Sequence, residues 1–385
     1  MGHDSGVELK MTKYIWQQAK WPQFVWDANE LLVPLGRVRR FQGELLARAD
    51  GMGLEAKVSV VTDEAVTTAA IEGEQLDRTR VRSSVARRLG LSTAGMPGID
   101  RNADGLVEVL MDATEQFNAP MTQNRLKSWQ AALFPTGYSG MYEIRVGKWR
   151  RGDEPMRVVS GRAGRERVHF EAPPSGRIPE EITAYLNWLN HPDKQMDGMV
   201  RAAIAHLYFV TIHPFDDGNG RIARAIADYV LAADEGTGRR LYSMSLQISK
   251  DRDRYYEVLE QTQKGNLNVT EWLKWFLTAL ERAVAASLSQ MDKAIDTRTF
   301  WASVAEIPLN ERQRKVIARL LEAGPSGFEG GLNNRKYVGM TKVSRETAKR
   351  DLAGLVKKGI LIQTTKSGRS VAYELIHREK LQKRS

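Results

Sequence analysis

Apolar positions recur at helical spacing over most of the chain. Between residue 14 and about residue 54, Leu31, Leu35, Val38, Phe41 and Leu45 fall three or four apart, the mark of one buried helix face. Trp16, Trp21 and Trp26 precede them, and aromatics in that setting predict core. A second helix is predicted over residues 57–76 and a third over 78–89. The turn formers of 90–97 then close an N-terminal helical module, residues 11–98; residues 1–10 carry no periodic pattern. Residues 99–300 also read mostly as helix, with a continuously apolar one over 197–212 and a new one starting at about Asn219. The exception is a pair of β-prone runs, 156–160 and 165–170, separated by Gly161-Arg-Ala-Gly164. They predict a hairpin, which Pro173 and Pro174 terminate.

The pattern changes at residue 305. Helices predicted over 310–322, 332–338 and 344–358 are followed by a short run at 360–364, turn residues 366–369 and a second run at 371–375. Three helices and a two-stranded wing over 305–376 predict a winged helix-turn-helix. Charge supports a separate duty for this segment. Residues 306–385 hold 18 Lys/Arg and 8 Asp/Glu, whereas the other 305 residues hold 39 of each, so the whole net charge of +10 lies at this end. A neutral body with a basic end module points to a polyanionic partner. Arg345, Lys349 and Arg350 on the third helix and Lys366 and Arg369 at the wing tip are the candidate DNA contacts. Winged helices also dock proteins, so a homodimer stays open beside DNA.

Composition narrows the chemistry. A chain of 385 residues, 42% hydrophobic and 27% charged, is expected to fold as two or three domains, which excludes wholesale disorder. It carries no apolar run of about 18 residues and no leader pattern, so it reads as cytoplasmic with no membrane partner. With no cysteine, disulfides, thiol catalysis and cysteine-held zinc are excluded, and six scattered histidines do not make a metal cluster. No Gly-x4-Gly-Lys-Ser/Thr loop occurs.

The chemistry concentrates in His213-Pro-Phe-Asp-Asp-Gly-Asn-Gly-Arg-Ile-Ala-Arg224, between two predicted helices. Glycines let backbone N–H groups approach an anion, and a helix N-terminus adds a favourable dipole. Arg221 and Arg224 fall on one face and can grip phosphate oxygens. Asp217 offers a hard carboxylate for Mg2+, and His213 is free to act as a base near neutral pH. This set describes transfer of a phosphate-bearing group.

The motif resembles the hallmark of the Fic family, His-x-Phe-x-(Asp/Glu)-Gly-Asn-Gly-(Arg/Lys)-x-x-Arg, with every specified position matched. The resemblance extends over roughly residues 57–285 and implies a mainly α protein: a Fic helical core with a β-hairpin flap, an N-terminal helical module and the C-terminal winged helix. It implies a protein adenylyltransferase that moves AMP from ATP, with Mg2+, to a Ser, Thr or Tyr hydroxyl of a target protein or of itself. His213 would be the base and Asp217 the metal ligand. Gly218, Asn219 and Gly220 would bind the α-phosphate region, and Arg221 and Arg224 the outer phosphates. Tyr256 is expected against the adenine, and Gln263, standing where the family often has asparagine, is expected as a further nucleotide-binding residue. Thr68-Ala-Ala-Ile-Glu72-Gly73 is similar to the inhibitory pattern of class II members, whose glutamate pairs with the second arginine of the motif, here Arg224. Relatives that move other phosphate-containing groups or remove AMP leave those chemistries open, as does a DNA-binding regulator with a nucleotide-sensing body. Of the other residues, Phe215 reads as a core anchor, Tyr255 and His206 as packing, and His169 as an exposed strand residue.

Overall fold

The computed structural model describes residues 14–49, 53–160, 167–323, 328, 331–364 and 371–376. Lys366, Arg369, the flap turn at 161–164 and the N-terminal stretch 1–10 lie outside the described residues. The chain divides into two compact units, Met1–Ser287 and Leu288–Ser385. The expected N-terminal module is built into the first of them.

That unit contains α1 (Ala28–Arg48), α2 (Leu54–Ile71), α3 (Arg78–Arg88), α4 (Arg101–Glu115), α5 (Gln123–Leu133), strands β1 (Tyr138–Ser139) and β2 (Tyr142–Glu143), the hairpin β3 (Arg157–Ser160) and β4 (Arg167–Glu171), α6 (Ile178–Asn190), α7 (Gly198–Ile212), α8 (Asn219–Glu235), α9 (Met244–Lys250), α10 (Arg252–Lys264) and the start of α11 (Thr270–Ser303). At its centre α7 packs on α8, and α7 is enclosed on every side: from Met199 to Ile212 all but Arg201 are buried. This is why its sequence lacks a polar stripe. Side chains at the N-caps fix the helix starts, among them Asp77, Asp100, Thr122 and Asp197, each accepting an N–H from the first turn. Arg39 on α1 donates to both Asp197 and Asp234, tying the N-terminal module to the ends of the central pair.

Helix α2 packs against α3, α4, α8 and α9, and it ends earlier than the pattern predicts. Gly73 adopts φ +84°; its N–H reaches Ala70 O and the N–H of Glu74 reaches Ala69 O, each at 3.0 Å. These are the paired bonds of a Schellman cap, and they place Glu72 just past the helix rather than inside it. The flap pairs antiparallel, Val158 with Phe170 and Ser160 with Arg167, with an irregularity between Val158 and Val159. Its base rests on the N-terminal aromatics: Tyr14 meets Phe170 edge-on at 5.2 Å, and Trp16 Nε1 donates to Glu171 O at 2.7 Å. Trp16 is core as expected, while Trp21 and Trp26 are half-buried.

The second unit holds α12 (Glu311–Ala323), α13 (Asn334–Thr341), α14 (Arg345–Lys357) and the antiparallel pair β5 (Leu361–Gln363) and β6 (Tyr373–Leu375), which is the element order expected from sequence. Its own core includes Phe300, Val316, Ile317, Tyr337, Leu352 and Leu355. Phe300 and Val304 belong to this core, so the division falls at residue 288 rather than between 300 and 305. Asp351 is its polar centre, accepting from Arg312, Asn310 and Tyr337.

Candidate active site

The turn from His213 to Gly218 joins α7 to α8. His213 has φ 52° and ψ 57°, the left-handed region that a side-chain-bearing residue rarely enters. Its N–H bonds Phe209 O at 3.0 Å, and its carbonyl accepts Arg150 Nε at 2.7 Å. Its Nδ1 lies 3.2 Å from Val210 O, and a carbonyl can only accept, so the proton sits on Nδ1 and Nε2 keeps its lone pair. Burial pushes the imidazole pKa down to about 4; nearby Arg150 adds to this, while the Val210 bond, Asp217 and Glu72 oppose it. The ring is therefore neutral at pH 7, the state a general base needs.

Below the turn, Phe215 is fully buried against Trp149, ring centroids 4.7 Å apart, as the core anchor expected of it. Asn219 closes the loop from the other side. Its Nδ2 donates to Phe215 O at 2.9 Å and its Oδ1 accepts the Phe215 N–H at 3.0 Å. The side chain expected at the α-phosphate is thus spent on holding the loop's shape. Gly218 has φ +88°, and a Cβ there would come within 2.9 Å of Phe134, so glycine is required. The first intrahelical bond of α8 runs from Ile222 N–H to Gly218 O, leaving the amides before it at a helix start suited to an anion. Asp217 accepts from Gly218 N at 2.6 Å and from the hydroxyl of Ser139 on β1.

Both arginines are buried, and both are engaged by the last turn of α2 or the residues just after it. Arg224 donates from Nη2 to Glu72 Oε1 at 2.8 Å and to Thr68 O at 3.0 Å, and from Nε to Thr68 Oγ1 at 2.7 Å. Burial lowers its pKa, but Glu72 outweighs that and the net shift is upward. Arg221 donates to Glu74 Oε2 at 2.8 Å, with its guanidinium 4.8 Å from the Phe134 ring. Among the described residues Arg224 Nη1 and Arg221 Nε are buried donors for which no hydrogen-bond partner is found, an uncommon state for a buried donor. A Cβ on Gly220 would stand 2.3 Å from Glu72 Oε1, so the carboxylate lies directly on the first turn of α8. Glu74 was not singled out from sequence. The available signal is a second carboxylate two residues after Glu72, in a chain whose motif also carries a second arginine three residues before Arg224.

Tyr256 is half-buried; its hydroxyl lies 3.4 Å from Ile71 O at the end of α2, and the Arg252 guanidinium covers its ring at 5.1 Å. Arg252 Nε also donates to Ile71 O at 3.0 Å. Tyr255 is packing, with its hydroxyl 3.0 Å from His206 Nε2 in the interior. Burial drives the His206 pKa down to about 3. Gln263 is buried on α10, and its amide nitrogen donates to Thr211 Oγ1 at 3.1 Å, so that group is held by the interior. Seven residues place it on the Tyr256 face of α10 but about 10 Å further along the axis. His169 on the flap bonds Glu260 on α10 at 2.6 Å rather than standing free. In the second unit Arg345, Lys349 and Arg350 are exposed on α14.

Among the described residues no group of three or more His, Asp or Glu side chains could hold a metal by itself. Asp217 is a single hard oxygen donor, which fits an ion such as Mg2+ that keeps several waters and shares its other positions with substrate phosphates. No described helix is long and apolar enough to cross a membrane.

Comparison with known proteins agrees with this geometry. The Fic/DOC family model matches residues 120–231, and a domain of unknown function, DUF4172, matches residues 14–91, which include Thr68 and Glu72. A probable protein adenylyltransferase of Aquifex aeolicus is 31% identical over 104 residues, 27% of this chain and 30% of that protein. A uridine 5'-monophosphate transferase of Xanthomonas campestris is 36% identical over 123 residues, 29% of this chain and 21% of that protein. The chain thus spans under a third of the length of either relative. The crystal structure of a Fic family protein from Desulfovibrio desulfuricans superposes with TM-score 0.53 at 19% identity, covering 92% of this chain and 98% of that one, a likeness of fold. With the motif complete from His213 to Arg224 and the family model laid over it, residues 120–231 form a Fic/DOC family domain.

Proposed function

We propose that this chain is a protein adenylyltransferase held in check by Glu72. It moves AMP from ATP to a Ser, Thr or Tyr hydroxyl of a target protein, and of itself. The observation that carries the reading is a neutral His213, with Nε2 free, beside two buried arginines whose carboxylate partners occupy the anion site at the start of α8.

In this mechanism His213 Nε2 takes the proton of the target hydroxyl as its oxygen bonds the α-phosphorus. The bond from that phosphorus to the bridging oxygen breaks, and pyrophosphate leaves. Amides at the start of α8, Arg221 and Arg224 hold the phosphates in line and offset the charge that develops. Asp217 would hold Mg2+, which when bound screens the phosphate oxygens. The open edge of the flap would take a target segment as an added strand, gaining affinity from main-chain bonds with little sequence selectivity. Glu72 on Arg224 and Glu74 on Arg221 together cover the cations that the outer phosphates need.

The donor is the least constrained part, since the two relatives named above carry different nucleotides in their names. Wild type, Glu72→Gly and Glu72→Gly/His213→Ala are incubated with α-labelled ATP, GTP, UTP and CTP in cell lysate. The expected result is label transfer from ATP that rises in Glu72→Gly and vanishes with His213. Transfer from another nucleotide moves the donor, release of label from premodified protein points to AMP removal, and transfer independent of His213 overturns the reading. A second role, nucleic-acid binding in the cytoplasm, is supported by the exposure of Arg345, Lys349 and Arg350 on α14 in a unit that carries the whole net charge.

A further inference from the structure

We propose that Arg150 is a positioning residue for His213: from beneath the catalytic turn it fixes the histidine's backbone in the conformation that presents Nε2. The proposal rests on the reading of His213 as the base, and it adds a residue outside the family motif. His213 is doubly disfavoured where it stands. It bears a side chain in the left-handed region, and it precedes Pro214, whose ring disfavours helical ψ at the residue before it. Something must hold it there.

Arg150 does so with both main chain and side chain. Its own N–H bonds Pro214 O at 2.9 Å, and its Nε bonds His213 O at 2.7 Å. The two carbonyls on either side of the His213–Pro214 bond are thus gripped by one residue, although proline's missing N–H leaves this peptide no donor of its own. Nη2 continues to Pro173 O, just beyond β4, so the same guanidinium links the catalytic turn to the base of the flap. Adjacent residues reinforce the strap: Arg145 N–H bonds Asp216 Oδ2 at 2.9 Å, and Trp149 packs at a tilt on Phe215.

Arg150 is 4% exposed, and no ion pair involving it is found among the described residues. Burying a cation on carbonyls alone is unfavourable, which argues that the fold retains it for the geometry it imposes. Burial lowers its pKa to about 10, against the pull of Asp216, so it remains charged at pH 7. That charge also faces His213 and favours its neutral form, in opposition to Asp217 and Glu72.

The test uses the full chain in the Glu72→Gly background, with Arg150→Lys, Arg150→Gln and Arg150→Met. Single-turnover automodification gives the maximal rate and the half-saturating ATP concentration, and NMR follows the His213 imidazole, assigned through His213→Ala. Lysine keeps the charge but cannot fork across two carbonyls. Its maximal rate should fall about 10²-fold, with half-saturating ATP within about twofold and the His213 titration still low. Methionine should lose the rate and also raise the His213 pKa. Glutamine keeps one donor and serves if methionine fails to fold. Maximal rates within about threefold of the parent for lysine and glutamine, or an unmoved His213 titration in both neutral variants, overturn the proposal. Activity that survives His213→Ala instead removes the base reading, and the imidazole titration then still decides whether Arg150 governs His213.

Discussion

Replacing Glu72 with glycine should raise automodification by between about tenfold and several hundredfold. The substitution falls at the C-cap of α2, φ −85° and ψ 4°, with Gly73 completing the cap, so the helix-interior penalty for glycine of about 1 kcal/mol is largely avoided. The lost ion pair has one buried partner and one exposed by about a third, with side-chain exposures of 2% for Arg224 and 32% for Glu72. Breaking a fully buried pair costs ~3–5 kcal/mol and an exposed one under ~1. About 2 kcal/mol is a fair intermediate, and Arg224 keeps both Thr68 acceptors. Against a typical stability of ~5–15 kcal/mol the variant stays folded. The gain comes from the nucleotide side. A carboxylate about 4–5 Å from a phosphate charge at an effective dielectric near 20 repels it by roughly 3–4 kcal/mol, worth about 10²–10³-fold. ATP can evade part of this by shifting, which sets the lower end of the range. Glu72→Gln separates charge from bulk: it should recover most of the gain if repulsion is the cause and little if the side chain merely fills space. Incorporation of α-labelled ATP is compared at matched folding by thermal melting, with nucleotide binding measured by calorimetry. The double variant Glu72→Gly/Arg224→Ala should lose the gain. Equal rates for wild type and Glu72→Gly, both folded and ATP-bound, would refute the reasoning.

Glu74→Gln should free Arg221 and raise automodification by roughly two- to fivefold; a drop would show that Glu74 supports the active state instead. His206→Gln should change the pH dependence of stability. The folded-state pKa is about 3 against 6.5 unperturbed, so below pH 6.5 the unfolded chain takes a proton that the folded one refuses, and stability falls with falling pH. Denaturant titrations should therefore show wild type losing about 1.4 kcal/mol per pH unit relative to the variant between roughly pH 6 and 4, and a constant gap would contradict the assignment. In the full chain, Arg345→Ala/Lys349→Ala/Arg350→Ala should reduce the salt slope of nucleic-acid binding by about 2–3, near 0.9 per lost phosphate contact. An unchanged slope would move the contact elsewhere.

What sequence made legible was whatever a local pattern encodes. The run from His213 to Arg224 holds the proposed base, the helix start proposed to bind an anion and two cations in twelve consecutive positions, and the fold places them together because a single turn carries them. Helix α7 and the flap were readable for the same reason. The misses are long-range or hang on one dihedral. The end of α2 depends on Gly73 adopting positive φ, which moves Glu72 out of the helix, and an apolar pattern continuing to Leu76 conceals it. Gln263 followed from spacing alone, which gives the face of a helix but not what covers that face. The place of Asn219 in the motif points to a ligand, and only the structure shows both ends of its amide bonded to Phe215. Ser139 on Asp217, Glu74 on Arg221 and Arg150 on His213 join residues 63 to 147 positions apart, across loops that no periodicity marks.

Under the proposed inhibition by Glu72, these contacts also decide how it would be relieved. One route withdraws α2 as a body; the other turns only the Glu72 side chain away. Withdrawal would break the buried bonds of Glu64 in α2, which accepts from Ser243 Oγ at 2.7 Å and Ser245 N at 3.1 Å, about two turns before the C-cap Glu72. It would break the Thr68 bonds to Arg224 and expose Val58, Val61, Ala65 and Ala69, all at most 4% accessible. Each buried polar group left unpaired costs about 1–3 kcal/mol and each buried valine about 1.5–3 kcal/mol on exposure, so the sum approaches the stability of a whole domain. Rotation of Glu72 breaks one ion pair whose carboxylate already meets solvent. The side-chain route is cheaper by several kcal/mol, so on the proposed reading activation would need only an anion able to compete for Arg224, with α2 left in place.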